Sequence, residues 1–166
     1  NFGIIYGMGA RSLSRSTDMT FAEAKMFIEK YFEIHSSIKD YLDETKNKAH
    51  EEGFVTTMFG RRRYFPEINS GMPQLIAQAE RMAINMPIQG AASDIMKMAM
   101  VVVDKWVEKS GLDIKVLMQV HDELVFECGE KDVEKAVLGI KKSMEDVVSF
   151  DVPLVVDVEY GDNWVR

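Results

Sequence analysis

A predicted β-hairpin with a charged tip most constrains how this chain can fold. Ile114–Gln119 and Leu124–Glu127 are short, mostly apolar runs of β-prone residues, and His121, Asp122 and Glu123 lie between them. Two such runs around a short polar turn predict a hairpin. A strand pair is a rigid support for two adjacent carboxylates, and a divalent cation in phosphate chemistry needs such a support. An ordinary polar turn is the alternative, because Asp is a common turn residue.

Composition sets the broad class of the protein. The chain has 166 residues, 46% of them hydrophobic, which is enough for a packed core. The net charge of −7 argues against binding a polyanion over the whole surface, although a local basic patch could still do so. The single cysteine, Cys128, excludes an internal disulfide framework and a cysteine-based zinc site, and it fits a reducing cytoplasm. No apolar run is long enough to span a membrane.

Helical patterns dominate the first third of the chain. A capping-box pattern and apolar residues at helical spacing predict a helix over 20–34. A second helix is expected to begin at Ser36 or Ser37 and to end at Gly53. This helical part is predicted to extend from residue 1 to about residue 53.

Strands and helices alternate in the remainder. A strand is predicted over 54–59, a turn at Gly60 and the following arginines, and a return strand at Tyr64 and Phe65. A helix from Gln74 is expected to kink or end at Pro87, which cannot donate to the helix ladder, and a new helix to run over 88–109.

The last third contains the hairpin, here placed at 114–127, and two further elements. An amphipathic helix is predicted over 130–148, and alternation over 152–160 predicts a closing strand. The order of elements indicates an α+β fold that is mainly helical, with a small antiparallel sheet that includes the hairpin.

Three polar side chains recur every four residues near Pro87. Arg81, Asn85 and Gln89 would share one face of an unbroken helix, drifting by about 40° per step. Asn and Gln amides can donate to the acceptors that every base pair shows in the DNA minor groove, a contact that checks pair shape without reading sequence. The alternatives are a solvated helix face or a cap at the Pro87 kink.

Arg61, Arg62 and Arg63 form the most concentrated positive run, beside Tyr64 and Phe65. Arginines next to aromatic rings suit a phosphate backbone or a stacked base, and a solvated turn is the alternative.

Two aromatic residues near the beginning of the chain form another candidate site. Phe2 and Tyr6 are four residues apart, and Gly3 and Gly7 would let a base or sugar approach the backbone. A place in the core is the alternative for both rings.

Together these segments resemble the C-terminal part of the family A DNA polymerases, the bacterial DNA polymerase I type. The resemblance spans essentially the whole chain, in order and at the expected spacing. The stretches that carry it are Asn1–Gly7, Phe59–Tyr64, Glu80–Gly90, Gln119–Leu124 and Gly161–Trp164.

The resemblance implies catalytic and nucleotide-binding roles. Asp122 matches the palm carboxylate that holds the catalytic Mg²⁺ ions, and Glu123 matches its supporting neighbour. His121 matches a residue near the primer terminus. Phe2 matches the position beside the sugar of the incoming dNTP, and Tyr6 the aromatic that stacks near the templating base.

The resemblance also implies partners and subdomains. Arg81, Asn85 and Gln89 match positions that contact primer–template DNA. Residues 1–53 would be part of the fingers, and residues 54–166 the C-terminal part of the palm. The implied enzyme is a DNA-directed DNA polymerase of the bacterial cytoplasm, without a membrane partner.

The implied reaction needs more than this chain supplies. Two metal ions about 3.5–4 Å apart would activate the primer 3′-hydroxyl and stabilise the leaving pyrophosphate. The family's second aspartate, and the Lys and Arg that grip the triphosphate, belong to segments N-terminal to this sequence. The chain is therefore interpreted as a fragment and predicted to be inactive alone. Two other interpretations stay open: the palm of a single-subunit RNA polymerase, and a DNA-binding remnant without catalysis.

Overall fold

The computed structural model describes residues 2–164, so Asn1, the first residue of the motif at 1–7, lies outside the described part. In these residues the chain is mainly helical with two antiparallel two-stranded sheets, which confirms the predicted α+β class. The elements are α1 (Phe2–Ile5), α2 (Ala10–Ser16), α3 (Phe21–Ile34), α4 (Ser36–Glu52), β1 (Phe54–Thr56), β2 (Arg62–Tyr64), a 3₁₀ turn (Pro66–Asn69), α5 (Pro73–Ser110), β3 (Ile114–Val120), β4 (Glu123–Cys128), a second 3₁₀ turn (Glu130–Asp132) and α6 (Val133–Glu145).

The chain divides into two compact units between Ala91 and Ala92. The assignment of residues 1–53 to fingers and 54–166 to palm concerns subdomain identity, and it stays a prediction. None of the helices within residues 2–164 combines the length and the apolar character that a membrane span requires.

The helices α3 and α4 have the ends that the sequence predicts. At the start of α3 the Thr20 hydroxyl accepts a hydrogen bond from the Glu23 N–H, and the Glu23 carboxylate accepts one from the Thr20 N–H. These hydrogen bonds from Thr20 lower the pKa of Glu23. The helix α4 begins at Ser36 and ends at Glu52, with Gly53 as the C-cap at a φ of 75° that few other residues adopt. The short helix α2 had no sequence prediction.

The hairpin of β1 and β2 differs from its prediction in the bounds of its strands and turn. Strand β1 ends at Thr56 rather than at residue 59, and the reversal occupies residues 57–61, where the Gly60 N–H donates to the Thr57 carbonyl. Arg62 and Arg63, predicted as part of a turn, are strand residues that pair with β1. Gly60, with φ 84°, allows the tight reversal before the arginines.

A core cluster in the first unit anchors the N-terminal half of α5. Its members come from α4, β1, the first 3₁₀ turn and its flank, and α5: Ala49, Val55, Phe65, Ile68, Ala79, Ala83 and Met86. This packing fixes which face of α5 is turned away from the core.

Pro87 does not end α5, so the prediction that the helix ends at this residue is wrong, while the predicted kink stays a prediction. One helix runs from Pro73 to Ser110 with Pro87 inside it. The proline removes one backbone hydrogen bond, a loss that costs about 3 kcal/mol in an isolated helix. Met86 and Gly90 are both buried on either side of it, so tertiary packing holds the helix where local propensity would end it.

The second unit contains the hairpin of β3 and β4 and the helix α6. The predicted hairpin at 114–127 is confirmed, with Ile114 opposite Cys128 and Val120 opposite Glu123. Its core joins the C-terminal half of α5, β3 and α6, and α6 packs closely because Gly139 leaves room for the Trp106 ring. The core residues are Met96, Ala99, Val103, Ile114, Ala136, Ile140 and Met144.

Two predictions at the C-terminal end need correction. The helix predicted over 130–148 is α6, which covers Val133–Glu145 after a 3₁₀ turn. The closing strand predicted over 152–160 is absent from the described residues, because alternation can predict a strand but cannot supply a hydrogen-bonding neighbour. The segment is fastened instead through Val156, whose N–H donates to the Glu145 carboxylate at 2.9 Å.

Candidate active site

The helical turn α1 presents two aromatic side chains one turn apart. The Tyr6 N–H donates to the Phe2 carbonyl at 3.1 Å, so the predicted helical spacing is realised. Ile4 on the same turn is buried, whereas Phe2 is 78% exposed and Tyr6 is half-buried. The exposure of Phe2 removes it from the core, which was the alternative for this ring, and leaves it available to a ligand.

Gly7 brings this turn against α5. Its φ is 86°, and a Cβ atom placed on it would lie 3.1 Å from the Arg81 Cγ and 3.0 Å from the Ile84 Cδ1. The positive φ favours glycine here, and an added Cβ atom would also make the Ile84 and Arg81 side chains shift by a few tenths of an ångström. The aromatic turn and Arg81, predicted separately, are therefore neighbours in the first unit.

Arg81, Asn85 and Gln89 lie on one uninterrupted stretch of α5, so their spacing does place them along one face. Arg81 and Gln89 are exposed, and Asn85 is half-buried. The Asn85 Oδ1 is buried and has no hydrogen-bond partner in the described part of the chain. An amide oxygen in this state is costly unless a donor reaches it, which is consistent with a position that a ligand completes.

Glu80, next to Arg81 in α5, contacts His50 of α4 and so connects the two helices. The His50 Nε2 lies 2.9 Å from the Glu80 Oε1, and the His50 Nδ1 lies 3.0 Å from the Asn69 Oδ1. Because acceptors face both ring nitrogens, first Glu80 and then Asn69, the pKa of His50 is raised. This network has a structural role, because it joins α4, the first 3₁₀ turn and α5.

The three arginines of the basic run have different surroundings. The Arg61 Nη2 donates to the Gly90 carbonyl at 2.8 Å. The Arg62 guanidinium lies 4.8 Å from the centroid of the Phe54 ring, and the Arg63 guanidinium lies 5.4 Å from that of Phe65. The run is therefore not a uniform basic patch.

The tip of the second hairpin holds the predicted metal-binding residues. His121 and Asp122 form the turn between β3 and β4, and Glu123 begins β4. His121 has φ 54°, a conformation that favours glycine, and the Gln119 side-chain amide donates to the His121 carbonyl at 2.7 Å. All three tip residues are exposed at the surface of the second unit.

The donor set at this tip suits a hard cation but does not complete a site. Carboxylate oxygens are the ligands that Mg²⁺ prefers, and Asp122 and Glu123 supply adjacent carboxylates on a strand pair. Within residues 2–164, no group of three or more His, Cys, Asp or Glu side chains is arranged to hold a metal ion. Further ligands would have to come from outside these residues.

The predicted site residues thus fall into two groups. The first unit contains the aromatic turn, the polar row on α5 and the arginine run, and the turn is in contact with α5 at Arg81. The second unit contains His121, Asp122 and Glu123.

Comparison with known proteins gives the family. DNA polymerase family A matches residues 1–166, the full length of the sequence. The chain belongs to DNA polymerase family A. This membership confirms the resemblance drawn from the sequence motifs.

Relatives of this family A chain include DNA polymerase I of Pseudomonas aeruginosa, which is 48% identical over 164 residues. The thermostable DNA polymerase I of Thermus aquaticus is 41% identical over 165 residues. Each alignment covers 99% of this chain but only 18% and 20% of the respective relative, so the chain spans about a fifth of their length.

A solved structure resembles this family A chain closely. It is the POL domain of Pol1 from M. smegmatis in complex with DNA primer-template and dNTP, with a TM-score of 0.91 and 40% identity. The similarity covers 96% of this chain and 28% of that one.

Sequence reasoning on this family A member missed some supporting residues. Gln119 lies in a recognised motif, but nothing in its spacing signals the hydrogen bond to the His121 carbonyl. Thr57 and Gly90, which pack against each other beside Arg61, are far apart in sequence, and no local pattern predicts their contact. Contacts of this kind become visible only in the folded chain.

Proposed function

We propose that this chain is the C-terminal part of the fingers and palm of a bacterial, cytoplasmic DNA-directed DNA polymerase that serves replication and repair. The enzyme would transfer nucleotides from dNTPs to a primer 3′-hydroxyl, with residues 1–53 in the fingers and 54–166 in the palm. The observation that carries the proposal is the similarity, at a TM-score of 0.91, to a polymerase domain solved with DNA primer-template and dNTP.

The hairpin tip is proposed as this chain's contribution to catalysis. Asp122 would bind Mg²⁺, with Glu123 beside it as a supporting ligand or acceptor, and His121 would lie near the primer terminus. When bound, the metal would neutralise charge on the phosphates and activate the primer hydroxyl. The strand pair and the Gln119 hydrogen bond support this assignment, because they hold the Asp122 backbone in one direction.

The first unit is proposed to bind the nucleic acid and the nucleotide. Arg81, Asn85 and Gln89 would contact the primer–template near the new base pair, and the unpaired Asn85 Oδ1 supports a role for that residue in binding. Phe2 would lie beside the incoming sugar and Tyr6 near the templating base.

The basic run is proposed to face the DNA backbone. Arg62 and Arg63 are exposed and stack on Phe54 and Phe65, and Arg63 also donates from Nη2 to the Met82 Sδ. A guanidinium has five N–H donors, so further donors can reach phosphate oxygens. Because the net charge of the chain is −7, this local concentration of positive charge is what supports a DNA contact.

The comparisons bear on two alternatives, a single-subunit RNA polymerase and a DNA-binding remnant. The relatives are named DNA polymerase I, which favours the DNA enzyme over a single-subunit RNA polymerase. The comparisons give no support to a DNA-binding remnant without catalysis. The experiment below separates these candidates.

Primer extension by the full parent chain, with Mg²⁺ and all four dNTPs, tests the proposal against an Asp122→Asn variant. Extension is expected in the parent and a loss of at least about 100-fold in the variant, since a metal ligand supplies several kcal/mol of charge stabilisation. Asp113→Asn is the matched control, because Asp113 is also exposed and lies in the same unit outside the tip. It is expected to retain full activity.

Other outcomes have clear meanings. A parent that binds primer–template DNA without extending it would favour the DNA-binding remnant. Extension that survives in Asp122→Asn would keep the polymerase but remove Asp122 from its metal site. Preference for ribonucleotides over dNTPs would favour the RNA polymerase interpretation.

A further inference from the structure

Arg61 donates to a main-chain carbonyl of the protein itself, whereas the other two arginines of its run make weaker contacts. Its guanidinium donates to the backbone carbonyl of Gly90 on α5 at 2.8 Å, a partly buried contact between residues 29 apart in sequence. Arg62 lies over the Phe54 ring. Arg63 lies over the Phe65 ring and donates from Nη2 to the Met82 Sδ at 3.2 Å, an exposed contact with a weak acceptor. A guanidinium whose donor is used by a main-chain carbonyl is less suited to bind a phosphate through the same edge.

The turn that carries Arg61 is built around Thr57. The Thr57 hydroxyl accepts a hydrogen bond from the Arg61 N–H at 3.2 Å, and the Thr57 N–H donates to the Arg61 carbonyl at 2.9 Å. Thr57 is 4% exposed, and its hydroxyl shields one side of the exposed turn in a partly buried hydrogen bond. The direction of the Arg61 side chain is therefore fixed by its own backbone.

Gly90 is shaped to receive this turn. A Cβ atom on Gly90 would lie 2.6 Å from the Thr57 Cγ2 and 3.3 Å from the Arg61 Nη2, so the helix and the turn interlock where a side chain is missing. Glycine inside a helix costs stability relative to alanine. Its presence here is explained by the close approach of the 57–61 turn.

The contact lies at a sensitive point of α5. Gly90 follows Gln89 directly and comes three residues after Pro87, where the helix ladder lacks one N–H donor. A contact from outside the helix at Gly90 would fix the end of the row that begins at Arg81. A loose helix at this point would displace Gln89 first.

We propose that Arg61 is a positioning residue that holds Gln89 in place for the primer–template by fastening the 57–61 turn to the Gly90 carbonyl, and that it does not itself bind phosphate. The inference rests on the proposed function, because it assumes that Gln89 contacts DNA. It assigns the phosphate contacts of the basic run to Arg62 and Arg63.

The test measures the dissociation constant of primer–template DNA against NaCl concentration, using the full parent polymerase and its variants. Removing an arginine that binds phosphate lowers the slope of log K against log salt by about 1. Arg63→Ala is expected to show this decrease, whereas Arg61→Ala is expected to weaken binding with the slope unchanged. Gly90→Ala breaks the same contact from the other side and is expected to behave as Arg61→Ala does.

A double-mutant cycle separates positioning of Gln89 from a general loss of structure. If Arg61 acts through Gln89, Arg61→Ala adds little to the loss that Gln89→Ala already causes, whereas Arg62→Ala and Gln89→Ala add independently. Arg61→Gln keeps a hydrogen-bond donor without the charge, and it is expected to recover part of the binding at an unchanged slope. This variant keeps the test informative if Arg61→Ala does not fold.

Two results would overturn the inference while leaving the proposed function intact: a salt slope that decreases by about 1 in Arg61→Ala or Arg61→Gln, or independent effects of Arg61→Ala and Gln89→Ala. A parent polymerase that binds no primer–template DNA would overturn the proposed function, and this inference with it.

Discussion

Gly7 joins a backbone requirement and a packing requirement at a single residue. Its φ of 86° belongs to glycine, and the space beside it is filled by Arg81 and Ile84. Gly60 has a similar φ of 84°, but no atom lies within 4 Å of the place that a Cβ atom would take, so it isolates the backbone effect. The two glycines therefore form a natural pair for comparison.

Gly7→Ala is expected to destabilise the chain by about 1–2 kcal/mol from the left-handed backbone alone, with a further loss from the contacts at 3.0 and 3.1 Å. Gly60→Ala, the matched control, should show the backbone loss only. Urea unfolding followed by circular dichroism measures both. Equal losses in the two variants would show that the contact with α5 is not tight.

His50 provides a pH-dependent contribution to stability. Its raised pKa, caused first by Glu80 and then by Asn69, means that the folded state binds the proton more tightly than the unfolded state. The stabilisation is fully present below the ordinary histidine pKa of about 6.5 and is lost as the pH rises through the folded-state pKa.

The free energy of unfolding, measured between pH 5.5 and pH 9, should therefore decrease toward high pH more steeply in the unsubstituted 166-residue chain than in its Glu80→Gln variant. His35→Gln serves as the control for the loss of a histidine that stacks on a ring, here that of Tyr31. Identical pH profiles of unfolding free energy for the unsubstituted chain and Glu80→Gln would contradict the role given to the His50–Glu80 pair.

At the scale of elements, the packing of α6 depends on Gly139, which lies inside the helix and not in a turn. A Cβ atom on Gly139 would lie 1.8 Å from the Trp106 Cζ2, so the indole ring occupies the place of a side chain. Trp106 is half-buried and packs on the core of the second unit, which limits how far the ring can move. The helices α5 and α6 are therefore matched at this crossing.

Gly139→Ala is expected to be destabilising, although alanine is the better helix former by about 1 kcal/mol. Overpacking costs about 1–3 kcal/mol, and here the obstacle is a rigid ring at well below contact distance. Thermal unfolding of Gly139→Ala, Trp106→Leu and the double variant measures the coupling. If the double variant loses as much stability as the two single variants together, the ring is not the obstacle.

At the scale of the whole molecule, the metal site that we propose at the hairpin tip would need ligands from outside the described residues. The described residues offer no group of three metal-ligating side chains, and the chain spans about a fifth of its DNA polymerase I relatives. The family resemblance implies that a second aspartate and the triphosphate-binding Lys and Arg belong to other segments of the parent.

The purified 166-residue chain is therefore expected not to extend a primer under conditions in which the intact parent does. Circular dichroism on the same sample should show a folded, mainly helical chain, so that inactivity is not a result of unfolding. Templated incorporation by the chain that disappears in its Asp122→Asn form would contradict this prediction.

Local sequence by itself determined those elements whose signals lie within a few residues. The capping box at Thr20 and Glu23, the stop at Gly53 and the hairpin at 114–127 were predictable because each rests on hydrogen bonds or turn conformations between near neighbours. The family was predictable from motifs, and the match over residues 1–166 confirms it.

Tertiary structure decided the features that depend on partners far away in the sequence. The continuity of α5 through Pro87, the strand position of Arg62 and Arg63, and the absence of a strand over 152–160 all differ from the sequence prediction. In each case a distant contact, or the lack of a neighbouring strand, outweighed a local preference of a few kcal/mol at most. Periodicity within a segment carries no information about which distant segment will pack or pair with it.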